Sequence, residues 1–159
     1  KVFMLTVHYQ ISVNPHSAHE QVHLSAEQLW SGLLLRIVEP ERFTIGLDRA
    51  EVAQISDVRY QRTLFFGEHA IRDEVVLTPQ HSVRFTTEAT DTVPSGQLYY
   101  EIQNDPMQGL MLHCEYATNF PEPNTDEDRS LLEAVKNAYR MIDEDMVRLI
   151  REYALMVRH

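Results

Sequence analysis

The chain has 159 residues, 43% hydrophobic and 24% charged, an ordinary globular composition with enough apolar side chains for one packed core. Its formal net charge is −10, with 14 Lys+Arg against 24 Asp+Glu, which disfavours nucleic acid and anionic membrane surfaces as partners. The single cysteine, Cys114, excludes an internal disulfide, and no run reaches the ~18 apolar residues of a membrane span, so no membrane insertion and a cytoplasmic location are expected by elimination.

Residues 2–13 alternate strongly. Phe3, Leu5, Val7, Tyr9, Ile11 and Val13 share one face, and Thr6, His8, Gln10 and Ser12 the other, the pattern of a half-buried strand. Those polar residues also rule out a signal-peptide core. Asn14-Pro15 stops the strand, and residues 16–24 read as a polar loop rich in histidine. Ser25, with Gln28 three residues on, opens a helix whose apolar stripe is Leu29, Trp30, Leu33, Leu34 and Ile37, and Pro40 ends it.

From Arg49 to Thr118 the period is two. Strands are expected at 50–56, 59–66, 70–78, 82–88, 97–103 and 109–118, broken at Asp57, Gly67-Glu68, Pro79-Gln80, Pro94-Ser95-Gly96 and Asp105-Pro106. Short connections make neighbours antiparallel. After Pro121 and Pro123, Asn124 or Thr125 caps a helix over 126–157, near 45 Å long at about 1.5 Å per residue. Its apolar set runs Leu131, Leu132, Val135, Ala138, Tyr139, Ile142, Met146, Leu149, Ile150, Tyr153, Met156 and Val157, with Asp143 assigned to the opposite, polar side. Asp126, Glu127 and Asp128 in the first turn and Arg158 in the last suit the helix dipole.

These elements make an α+β fold. A curved antiparallel sheet of about seven strands grips a long C-terminal helix, a short helix follows the first strand, and one domain spans 1–159. Parity checks the sheet. A hairpin at Gly67 and Ala70 sets 64 opposite 73 and 66 opposite 71. A turn at 79–81 sets 77 opposite 83, and longer loops place 85 opposite 100 and 100 opposite 112. The apolar faces then meet at every join. Arg62 and Asp73 fall on the inner face a diagonal step apart, either as a structural ion pair or as a polar spot that orients a ligand's carboxylate or hydroxyl. Ligand-pocket candidates are Tyr60, Arg62, Leu64, Phe66, Asp73, Val75, Phe85, Tyr100 and Leu112 from the sheet, with Tyr139, Ile142 and Met146 from the helix.

The segment Leu5-Thr6-Val7-His8-Tyr9, then Asn14-Pro15, then Leu29-Trp30-x-Gly32-Leu33-x-x-Arg36-x-x-x-Pro40-x-x-Phe43 resembles one branch of the START/Bet v 1-like helix-grip superfamily, also called SRPBCC. That branch is named after a protein encoded in the acetylaranotin biosynthetic cluster. The superfamily layout covers the whole chain, and the Leu-Trp-x-Gly-Leu signature about a tenth of it. The resemblance implies a deep apolar cavity between sheet and long helix, used in other members for lipids, sterols, hormones and polyketides. It carries no catalytic residues across to this sequence.

Other constellations are weak. His16, His19, Glu20 and His23 have the side-chain types of metal ligands but no apolar periodicity around them, so a solvated loop is expected and no metal. His113 and Cys114 are adjacent on a strand and point to opposite faces, which rules them out as a nucleophile pair. No dinucleotide fingerprint, P-loop, nucleophile elbow or zinc-protease motif occurs, and no cofactor is expected. Three functions compete. The first is a binder of a small hydrophobic metabolite, lipid- or polyketide-like. The second is a polyketide cyclase/dehydratase-like enzyme using Arg62, Asp73 and Tyr100. The third is a protein-interaction module, with a homodimer among its forms.

Overall fold

The computed structural model describes residues 2–15 and 23–157. His16, His19 and Glu20 of the histidine-rich segment, and Arg158, lie outside the described residues. Seven strands form one antiparallel sheet: β1 (Val2–Ser12), β2 (Arg49–Ser56), β3 (Arg59–Phe66), β4 (His69–Thr78), β5 (Ser82–Thr87), β6 (Gly96–Asp105) and β7 (Gly109–Pro121). Their spatial order is β1-β7-β6-β5-β4-β3-β2, a meander whose last strand returns to pair with the first. Helix α1 (Ala26–Val38) follows β1, a 3-10 turn over Pro40–Arg42 leads into β2, and α2 (Asp126–Val157) ends the fold.

The local signals act as their chemistry dictates. The Ser25 hydroxyl accepts the Gln28 amide N–H while the Gln28 side chain accepts the Ser25 N–H, a closed capping box. The Asp128 N–H donates to Thr125 Oγ1 (3.0 Å), which caps α2. Leu29, Trp30, Leu33 and Ile37 are all buried, so the stripe of α1 faces the core. Gly32 allows α1 to lie directly on α2, because a Cβ there would overlap the Ile150 side chain.

Every inner face meets its neighbour's, but three of the four expected registers are displaced by two residues. Leu64 lies opposite Ile71 and Phe66 opposite His69; Phe85 lies opposite Leu98, and Tyr100 opposite Cys114; only Leu77 opposite Val83 stands as expected. A two-residue slip preserves which face a side chain occupies, so the apolar pattern cannot detect it. The β3–β4 hairpin closes on Gly67-Glu68 alone, with Gly67 at φ +59°, the positive value that tight hairpin turns need. Arg62 and Asp73 consequently stand directly opposite one another.

The buried line of α2 also differs from the expected stripe. It runs through Asp143, Met146, Val147 and Ile150, with Tyr139 half-buried above them. Leu131, Ile142 and Met156 are largely exposed. Asp143, expected on the polar side, has 0% exposure. The reason is angular: 139, 143, 146 and 150 are spaced by four, three and four, so they share one face as tightly as any apolar set. Among the described residues no helix is long and apolar enough to cross a membrane.

Candidate functional site

Three neighbouring strands each bring a tyrosine to the same carboxylate. β1 supplies Tyr9, β6 supplies Tyr100 and β7 supplies Tyr116, all on the inner face. Tyr9 and Tyr116 donate their hydroxyls to Asp143 Oδ2, the latter at 2.7 Å, and Tyr100 donates to Oδ1. Cys114 packs between them, fully buried. Burial raises the Asp143 pKa above the ordinary aspartate value, and the hydrogen bonds from Tyr100 and Tyr9 and the charge of Arg36 pull against that rise. Burial also raises Tyr9, Tyr100 and Tyr116, so all three phenols remain protonated donors. It pushes the Cys114 thiol up as well, which makes it a poor nucleophile.

Beside this cluster lies a cavity of about 280 Å³ between the sheet, the end of α1 and the middle of α2. That is near the lower end of the ~300–1,000 Å³ typical of ligand pockets. Leu64, Phe85, Leu98, Tyr116 and Tyr139 line it together with Arg36. Tyr139 stacks on Tyr116 with centroids 4.0 Å apart, and its hydroxyl is 3.1 Å from Thr118 Oγ1. Tyr116 therefore touches both the cavity and Asp143.

Two guanidiniums approach the Phe85 ring, Arg36 at 5.3 Å and Arg62 at 5.2 Å. Their situations differ. Arg62 is 4% exposed and fully engaged: Nε and Nη2 grip the two oxygens of Asp73 at 2.9 and 2.6 Å, and Nη1 donates to the Ile37 carbonyl at 3.1 Å. That set ties β3 and β4 to the C-terminal end of α1, where carbonyls lack helical partners. Arg36 lies over Phe85 and Tyr100, and among the described residues none of its side-chain N–H groups donates a hydrogen bond. Burial works against its charge, but Tyr100, Tyr116, Asp143 and Asp73 outweigh burial and hold its pKa above the usual value.

Of the residues expected in a pocket, Arg62, Leu64, Asp73, Phe85 and Tyr139 line this cavity. Tyr60, Val75, Leu112 and Met146 are buried in packed core, and Tyr100 is buried against Asp143. Phe66 is half-buried beside the β3–β4 turn, and Ile142 is 49% exposed. Sequence reasoning missed Arg36 and Asp143. Both carried a signal: Arg36 is the charged member of the Leu29–Phe43 motif, three residues after Leu33, and Asp143 falls on the helical line of Tyr139 and Ile150. Larger hollows lie elsewhere. One of about 740 Å³ on the outer face of β2–β5 is edged by Glu51, Gln61, Arg72 and Glu74, and one of about 390 Å³ outside the α1–α2 contact by Gln28, Leu35, Ile150 and Ala154. Among the described residues no cluster of three or more His, Cys, Asp or Glu side chains could hold a metal ion.

A seven-stranded antiparallel sheet closed over a long C-terminal helix, with a side-chain-lined void between, defines the helix-grip class of Bet v 1-like proteins. Solved structures of that class superpose on nearly the whole chain. The di-domain ARO/CYC StfQ from the steffimycin biosynthetic pathway matches with a TM-score of 0.68 and 12% identity over 96% of this chain. This chain spans only 52% of StfQ. Zhui aromatase/cyclase from Streptomyces sp. R1128 matches at 0.64 and 12%, over 98% of this chain and 96% of that one. Truncated norcoclaurine synthase from Thalictrum flavum matches at 0.65 and 11%, over 97% and 95%. No curated protein sequence matches. The family is given by residues 7–156, which match the AtaL model, acetylaranotin biosynthesis cluster protein L; the chain belongs to that family.

Proposed function

We propose that this protein binds a small, largely apolar molecule, lipid- or polyketide-like, in the cavity between the sheet and α2. The observation that carries the proposal is the cavity of about 280 Å³ that Leu64, Phe85, Leu98 and the stacked Tyr116 and Tyr139 line together with Arg36. Aromatase/cyclases and norcoclaurine synthase, which share the fold, support a small organic ligand. Native mass spectrometry of the purified protein, with thermal-shift measurements across a panel of lipids and polyketides, tests it. A retained molecule or a saturable rise in melting temperature is expected; a ligand at 100 times its Kd adds ~2.7 kcal/mol. A folded protein with neither result contradicts the proposal.

One contact favours a second reading, an enzyme of the cyclase or dehydratase type. Tyr116 lines the cavity and donates to the buried Asp143, so a phenol facing a bound molecule is coupled to a carboxylate of raised pKa. In this reading Tyr116 and Asp143 take the acid–base role, while Arg62 and Asp73, committed to each other, hold the wall. Loss of turnover in Tyr116→Phe with ligand affinity retained supports catalysis; unchanged turnover removes it.

A further inference from the structure

We infer that Arg36 is the ligand's polar anchor, and that the molecule bound carries a delocalised two-oxygen group, a carboxylate or an enolised 1,3-dicarbonyl, on a planar apolar body. This rests on the binding reading above and deepens it.

The cavity contains two cations, and only one is spent on the fold. Arg62 has both oxygens of Asp73 and the Ile37 carbonyl. Arg36 has two aromatic faces, at 5.3 Å from Phe85 and 5.6 Å from Tyr100, and among the described residues no hydrogen-bond acceptor for its N–H groups. Stacking orients a guanidinium without using its in-plane donors, which leaves a fork aimed at a planar acceptor. The nearby carboxylate, Asp143, accepts three phenol hydrogen bonds and is coupled to Arg36 through charge, without a hydrogen bond from its guanidinium. A bare guanidinium on the wall of a half-enclosed cavity has lost part of its hydration without a replacement, so an oxygen pair on a ligand has more to gain there than at the surface. Leu64, Leu98 and the stacked pair Tyr116 and Tyr139 offer flat apolar surface to a ligand's body, while Thr44, Thr87, Gln97 and Thr118 add polar edges to the same wall.

The test uses three probes of similar size, 2-naphthoate, its methyl ester and benzoylacetone, titrated into the wild-type protein and into Arg36→Met and Arg36→Lys. The expected result is at least ten-fold tighter binding of 2-naphthoate than of the ester by the wild type. Arg36→Met abolishes the preference, and Arg36→Lys keeps part of it. Benzoylacetone binding that strengthens as its enol ionises assigns the enolate source, and binding independent of that ionisation assigns the carboxylate. If ester and acid bind equally to the wild type, or the preference survives in Arg36→Met, the inference fails while the binding reading stands. If no probe binds the wild type, the inference fails, and the binding reading is decided separately by native mass spectrometry and the wider lipid and polyketide panel. Should Arg36→Met not fold, the Arg36 Nε–Hε resonance of the wild type gives the answer, shifting downfield with 2-naphthoate and not with the ester; no difference between the two overturns the inference.

Discussion

Tyr100, on the interior strand β6, donates its hydroxyl to Asp143 at the middle of α2, and both side chains have 0% exposure. This bond, with those from Tyr9 and Tyr116, is the polar seam by which the sheet holds the helix. Removing the acceptor leaves two buried phenols, Tyr100 and Tyr116, and the half-buried Tyr9 without a partner. Asp143→Ala is therefore expected to lose roughly 3–5 kcal/mol in urea denaturation, whereas Tyr100→Phe, which removes one donor, loses about 1–2 kcal/mol. Equal losses would mean that the seam is not a shared network.

The same carboxyl sets a pH dependence. Its folded-state pKa is raised, chiefly by burial, above the unfolded value near ~3.9. The native state then holds a proton that the unfolded state has released, so stability falls as pH rises from the unfolded pKa through the folded one. The difference in unfolding free energy between wild type and Asp143→Asn is expected to decline over that window and level off above it. A difference that grows with pH there contradicts the assignment.

Arg62 and Asp73 act as a structural clamp. Asp73→Ala strands a guanidinium that is 4% exposed and is expected to cost about 3–5 kcal/mol, while the double change Arg62→Met, Asp73→Leu recovers most of it. Chemical denaturation of the three variants decides this. A double variant no better than the single one would require a role for the charges beyond holding β3, β4 and α1 together.

Gly32 sets the spacing of the two helices. Gly32→Ala drives a methyl into Ile150 and is expected to cost about 1–3 kcal/mol, with substantial recovery in Gly32→Ala, Ile150→Ala. Additive losses would place the strain elsewhere.

The fold was legible because its signals are periodic. Strand ends, the capping box at Ser25, the stop at Pro40 and the cap at Thr125 are local chemistry, and the structure has them. Register was legible only modulo two, since Leu64 shows the same face whether it meets Ile71 or Asp73. Asp143 was misread because its carboxyl suggested solvent, although its position on the Tyr139–Ile150 line said interior; the three phenols that make burial tolerable come from strands more than 25 residues away in sequence. The division of the inner face into cavity and packed core, Phe85 in one and Val75 in the other, depends on the curvature of the sheet, which a pattern of alternation does not encode.

The most direct measurement is an intermolecular NOE experiment on the protein with bound 2-naphthoate. Contacts from the ring protons to the methyl groups of Leu64 and Leu98 are the expected result, because both line the cavity under α2. Contacts confined to Leu35, Ile150 and Ala154, at the hollow outside the α1–α2 contact, would contradict a ligand site between sheet and helix.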